Sequence, residues 1–217
     1  MGYEKATIEK LLNVLQENNV TLKGLRLFEL GNQEVYGIEK AFELFSRFGY
    51  TPNSTIIKYF FEFLGIKYTS VDYNGLDGAH KLDIRQDISG YFNEKFDVLT
   101  NLGFTEHVGE NSDWSTILTA QYAVFKNLHD LGSNNAIYYH CVPLTRNWYK
   151  HGVCDYSLEF FSKLAEVCGY TIIKGPFIED YHVEKQASVF FRKTPESVFP
   201  SFETFCQIPG LRTTQYD

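Results

Sequence analysis

Apolar and polar positions alternate along this chain with two periods, and the switches between them mark a succession of helices and strands. Ile8, Leu11, Leu12 and Leu15 recur at helical spacing and stop at Asn18-Asn19, which predicts a covering helix before the first strand. Leu25, Leu27, Phe28 and Leu30 read as a buried strand that carries Glu29 and ends at Gly31-Asn32-Gln33. Gly31 lets the chain leave it in a conformation other side chains resist. Ile38, Ala41, Phe42, Phe45 and Phe48 form the stripe of a second helix closed by Gly49. Ser54 is placed to cap a third, with stripe Ile57, Phe60, Phe61 and Leu64, closed by Gly65.

Residues 66–72 predict the second strand, followed by the glycine turns Asn74-Gly75 and Asp77-Gly78. His80–Ile84 predicts a short edge-like strand and Phe96–Leu99 a fourth. Ser112 or Asp113 starts a helix with Ile117, Ala120, Val124 and Leu128 on one face, closed by Gly132. Ala136–Val142 is a fifth strand ended by Pro143, and Leu158, Phe161, Ala165 and Cys168 mark a helix capped by Gly169. Tyr170–Ile173 and Ser188–Arg192 have no helical stripe between them, so they are expected as antiparallel neighbours. The order predicts an α/β sandwich with a mostly parallel sheet and one reversed strand. From Thr194, with Pro195, Pro200 and Pro209, an irregular tail is expected, packed by Phe199, Phe202 and Phe205, with disorder in its last residues.

Composition narrows the class. A chain of 217 residues makes one large domain or a domain with embellishments, and buries roughly 70% of its unfolded surface. The formal charge of −7, with no run of Lys and Arg, argues against nucleic acid or an anionic membrane as principal partner, because both require a basic face. Cys141, Cys154, Cys168 and Cys206 include no Cys-x-x-Cys pair, and the first residues are charged and amphipathic, so a cytoplasmic protein is expected. Ala6 stands where a myristoylation motif wants Ser or Thr. No two His or Cys have zinc-site spacing, so no metal is expected.

Several strand ends carry polar tips, which suggests a pocket. Phe28-Glu29-Leu30-Gly31, then Ser70-Val71-Asp72, Leu82-Asp83-Ile84, Phe96–Asn101 and Thr105-Glu106-His107-Val108 together resemble the class I S-adenosylmethionine-dependent methyltransferases. His151-Gly152, Asp155-Tyr156-Ser157, Phe160-Phe161 and Cys168-Gly169-Tyr170 resemble a segment of that superfamily's small-molecule branch. The resemblance implies a Rossmann-like three-layer α/β sandwich with a seven-stranded sheet over residues 1–193, a tail from 194, and a small-molecule acceptor. Apolar surface on the helix pair before Asp72 and on the tail leaves room for a homodimer.

For the donor, S-adenosylmethionine, the resemblance implies that Gly31, Asn32 and Gln33 admit its amino-acid part while Glu29 anchors the turn. Asp72, with Tyr73 after it, matches the acid that accepts the ribose hydroxyls. Asp83 matches the residue facing the adenine amino group, with Ile84 beside the ring, and Asn101 sits where the fourth strand opens onto donor and substrate. Two departures stand out: Gln33 occupies a place often small, and Asp72 follows Gly31 at about twice the usual interval, which the helix before it accounts for.

Methyl transfer needs positioning above all, which alone supplies roughly 7–11 kcal/mol of the barrier. Where a base is needed, His107 or His151 can take the proton, and His151 with Asp155 is the foremost pair. Trp148, Tyr149 and Tyr156 serve equally well as lid packing or substrate stacking. Simpler roles compete: Asp72 beside Asn74-Gly75 can be a turn residue bonding its own backbone, and a lone histidine in a polar loop is often a surface group. A nicotinamide enzyme is disfavoured because Gly-x-Gly-x-x-Gly is absent. A binding protein that keeps the fold without turnover is the alternative.

Overall fold

In the computed structural model the described residues are 2–110, 112–148, 151–181 and 184–214. They fall into two units, Met1–Leu82 and Asp83–Asp217.

The first unit opens with α1 (Lys5–Glu17), whose buried face holds Ile8, Leu11, Leu12 and Leu15. Its end is written in the two asparagines: Asn18 Nδ2 donates to the Val14 carbonyl at 2.8 Å, and Asn19 takes a left-handed conformation, φ 56°, which Asn tolerates better than most residues. Strand β1 (Arg26–Leu30) follows, then α2 (Ile38–Arg47), α3 (Ile57–Phe63), β2 (Lys67–Asp72) and the two-residue β3 (His80–Lys81). The three strands pair in parallel in the order β3-β2-β1.

Two expectations need correction here. The buried side chains of α2 are Ala41, Leu44 and Phe45, while Phe42 and Phe48 are exposed at 47% and 39%, so the stripe lies to one side of the predicted one. Ser54 does not cap α3. Its Oγ accepts from Ile56 N at 3.2 Å, which fixes a turn, and the helix begins at Ile57.

In the second unit β4 (Phe96–Leu102) and β5 (Gly132–Pro143) pair in parallel, joined by α4 (Trp114–Leu131). After β6 (Cys154–Tyr156) and α5 (Leu158–Cys168), β7 (Thr171–Tyr181) and β8 (Glu184–Arg192) run antiparallel to each other. β8 is also antiparallel to β5. The seven-stranded sheet is mostly parallel with β8 reversed, as the resemblance implies. Local chemistry explains the helix ends. Asp113 accepts from Thr116 N at 2.8 Å, and those amide bonds hold its carboxyl below the usual range. Ser157 accepts from Phe160 N, and Gly169 closes α5 at φ 68°.

The core of this unit is aromatic. Phe125 of α4 meets the rings of Tyr156, Phe160 and Phe205 at 5.6–6.2 Å, and full burial of one such ring stabilises by about 1.5–3 kcal/mol. Tyr122 packs on Phe199, Phe202 and Phe205. The segment after Thr194 is more regular than its prolines suggest: it forms α6 (Phe202–Cys206) and β9 (Leu211–Thr213), which pairs antiparallel with β6. Residues 215–217, for which disorder was expected, and Tyr149 lie outside the described residues. Among the described residues no helix is long and apolar enough to cross a membrane.

Candidate functional site

Gly31 leaves β1 with φ 80° and donates its N–H to the Val71 carbonyl at 2.8 Å. The next amide, Asn32 N, donates to Asp72 Oδ2 at 3.0 Å, so the carboxylate at the end of β2 ties the two strand ends together. Its other oxygen accepts from Asn74 N at 3.0 Å, the local turn bond that Asp favours before Gly. The turn role of Asp72 is thus seen directly, on both sides of the strand end. An ionised carboxylate offers about four lone-pair sites, so two amide bonds leave capacity for further donors. Asn32 Nδ2 extends to Asp77 Oδ2 at 2.8 Å, and Tyr73 is 76% exposed.

Gln33 does not crowd the turn in the way its size suggests. Its Nε2 folds back to the Leu30 carbonyl at 2.9 Å, and the residue is buried. Glu29 is wholly buried and accepts from the Tyr68 hydroxyl. Burial first, and the Glu29 charge second, push the Tyr68 phenol well above its ordinary range, which keeps it a donor. Glu29 thus braces β1 against β2.

In the second unit Asp83 and Ile84 lie just past the end of β3 rather than within it. The Asp83 carboxylate is gripped by Arg85 through Nε and Nη2 at 2.9 Å each, and that bonding holds its pKa below the usual value. Ile84 is buried. Asn127 of α4, which sequence reasoning missed, clamps this loop: Nδ2 donates to the Ile84 and Gln86 carbonyls and Oδ1 accepts from Ile88 N.

Asn101, at the end of β4, is turned inward. Its Nδ2 bonds Thr105 Oγ1 at 3.0 Å and lies 3.2 Å from His140 Nδ1, and its Oδ1 accepts from Thr105 N. Around Thr105 the partners fix the direction of each proton. Gln121 Nε2 donates to the Thr105 and Val108 carbonyls, which leaves Oε1 to accept from Tyr156 at 2.6 Å. The single Tyr156 proton being used there, Thr105 donates to Tyr156 across their 2.8 Å contact. Burial pushes Tyr156 and Cys154 far up, so both remain protonated.

This braced turn, Thr105–His107, carries two of the site residues. His107 and His151 come together with ring centroids 4.9 Å apart, and the Trp148 ring lies 4.1 Å from that of His151. The acid facing them is Glu106: its Oε1 is 3.8 Å from His107 Nε2 and 3.7 Å from His151 Nε2. Asp155 is buried and accepts from Arg146 N at 3.0 Å, which holds the loop after β5. Glu106 was legible only as the neighbour of His107 in Thr105-Glu106-His107-Val108. Its burial, at 0% exposure, follows from the turn being pinned from three sides. Val153 N donates to the Glu106 carbonyl at 2.7 Å, Thr214 Oγ1 donates to Gly152 O, and Gln121 holds Thr105.

No protein family and no curated protein matches the chain. Solved structures do. Burkholderia thailandensis 1,6-didemethyltoxoflavin-N1-methyltransferase, crystallised with 1,6-didemethyltoxoflavin and S-adenosylhomocysteine, aligns at a TM-score of 0.51 and 11% identity over 84% of this chain and 76% of that one. The chain has a methyltransferase fold. The N-methyltransferase NodS from Bradyrhizobium japonicum WM9, in complex with S-adenosyl-L-homocysteine, aligns at a TM-score of 0.45 and 13% identity over 88% of each chain. The CurJ carbon methyltransferase aligns at 0.45 and 15% over 88% of this chain, which spans only 54% of that protein. At these identities the likeness is one of fold. Within that methyltransferase fold, the Gly31 turn and Asp72 stand at the ends of β1 and β2, where open α/β sheets take their ligands.

Proposed function

We propose that the protein is an S-adenosylmethionine-dependent methyltransferase acting on a small-molecule acceptor. The observation that carries this reading is the Gly31–Asp72 turn, in which Asp72 bonds the Asn32 amide and the glycine holds φ 80°. The fold it stands in is shared with a protein crystallised with S-adenosylhomocysteine. The turn fits the donor in three ways. The glycine permits close backbone approach, Asp72 retains accepting capacity for a ribose diol, and Gln33 is folded back on Leu30.

When bound, the donor supplies a methyl group on a sulfonium for in-line displacement by the acceptor's nucleophile. Gly31 and Asn32 would hold its amino-acid part and Asp72 its ribose, with Tyr73 beside it. Asp83 and Ile84 are assigned to the adenine. Glu29 and Asn101 are assigned positioning roles, since their side chains bond Tyr68 and Thr105. For an acceptor that must lose a proton, His107 and His151 are the candidate bases, with Glu106 Oε1 3.7–3.8 Å from a ring nitrogen of each. Asp155 supports the loop that carries Trp148.

The test is calorimetric titration with S-adenosylmethionine and S-adenosylhomocysteine on the wild type and on Asp72→Asn. Binding near micromolar, about −8 kcal/mol, that weakens at least about tenfold in the variant is expected. No heat and no thermal shift with either ligand in the folded wild type would overturn the reading and leave the binding-protein alternative.

A further inference from the structure

The geometry points to a divalent transition-metal site made by Glu106, His107 and His151, a use of these residues that methyl transfer does not require. The donor atoms, one from each residue, all lie within 4.8 Å of one another. Two of the distances are shorter, 3.8 Å from His107 Nε2 and 3.7 Å from His151 Nε2, both to Glu106 Oε1. Ligands at 2.0–2.1 Å from a tetrahedral zinc stand about 3.3 Å apart, so a shift of a few tenths of an ångström brings these pairs to coordination distance.

A second observation singles the cluster out. Glu106 is wholly buried, and among the described residues neither of its carboxylate oxygens has a hydrogen-bond partner, nor has the buried His151 Nε2 that faces it. A buried carboxylate without a partner is strongly disfavoured, and a cation held between these atoms removes that cost. The ring of His107 is already oriented for the task. Its Nδ1 donates to Glu110 Oε1 at 3.0 Å, which leaves the Nε2 lone pair directed at the cluster, the carboxylate–histidine arrangement that supports metal ligands. Two imidazoles and one carboxylate select zinc, cobalt, iron or manganese over magnesium and calcium, which take oxygen ligands. The two segments that carry the cluster approach closely: a Cβ on Gly152 would come within 2.5 Å of the Glu106 carbonyl.

The experiment uses the whole chain, stripped with a chelator and titrated with Co²⁺ while its d–d absorption is followed, then with Zn²⁺ in competition. Saturation at one equivalent is expected, with displacement of Co²⁺ by Zn²⁺. His107→Ala, on the more exposed side of the cluster, should stay folded and bind on the order of 100-fold more weakly, and Glu110→Ala about tenfold more weakly. Absence of a d–d band in the folded wild type, equal affinity in His107→Ala, or a response to Mg²⁺ with none to Co²⁺ would each overturn the inference. The ion is read directly, so the result is independent of whether the methyl donor binds.

Discussion

Acidification should cost this protein stability well above the range in which its carboxylates titrate, because of two histidines buried in the neutral form. His140 sits among the rings of Phe125, Phe161 and Phe191 at centroid distances of 5.4, 5.5 and 5.6 Å, and burial pushes its pKa from 6.5 down to about 3. His129, stacked on Tyr170, is lowered to about 4, first by burial and then by the Lys193 charge. A folded-state pKa below the unfolded value means that the unfolded chain binds more protons between the two. The contribution is therefore fully present above about pH 6.5 and is lost as pH falls toward 4 and 3. From about pH 7 to about pH 5 each histidine loses about 2 kcal/mol at 1.36 kcal/mol per unit, together roughly 4 kcal/mol. That is a large share of a typical total of about 5–15 kcal/mol. Urea unfolding at the two pH values reads it, and the same pair of measurements on His140→Phe isolates one residue, since packing changes cancel in the difference. The wild-type drop should shrink by about 2 kcal/mol in the variant. An equal drop in both proteins would refute the assignment of His140 as a buried neutral group.

Two further substitutions test the scaffold around Glu106. Tyr156→Phe removes the proton that Gln121 Oε1 accepts and the oxygen that Thr105 contacts. With Cys154 Sγ, which also bonds the Tyr156 hydroxyl, three buried groups lose a partner, which should lower unfolding free energy by about 2–4 kcal/mol, and a loss under about 0.5 kcal/mol in denaturant titration would contradict the network. Gly152→Ala forces a side chain onto a residue at φ +72° and within 2.5 Å of the Glu106 carbonyl. The conformation alone costs about 1–2 kcal/mol. The melting temperature should fall and Co²⁺ affinity should drop with it, whereas an unchanged affinity would show that the two segments move independently.

How much of this could be read from the chain depended on how local each determinant is. Asp113, Ser157 and Gly169 act within a few residues of themselves, so the ends of α4 and α5 follow from residue type and position. The antiparallel relation of β7 and β8 was legible because nothing helical separates them. Phe42 is apolar at the right spacing and still exposed, because periodicity gives the existence of a face but not its angle toward the core. The pairing of β9 with β6 was invisible. Three-residue strands far apart in sequence carry almost no pattern, and their partner is chosen by where the intervening helices leave the chain.

The acids show the limit most clearly. Glu29 and Glu106 are both wholly buried, and both stand beside apolar or site-like neighbours that make either a plausible ligand group. Glu29 receives the Tyr68 hydroxyl from a strand paired with its own, so its burial is satisfied by the fold. Among the described residues Glu106 has two imidazoles at 3.7–3.8 Å and no hydrogen bond to either oxygen. Burial is hard to read from the chain here, and so are the partners that arrive from dozens of positions away, Tyr68 for Glu29 and His151 for Glu106. Once both are known the physical demand differs: an acid already bonded needs nothing more, while one buried without a hydrogen bond calls for a compensating partner. The second state is the one that marks chemistry rather than architecture.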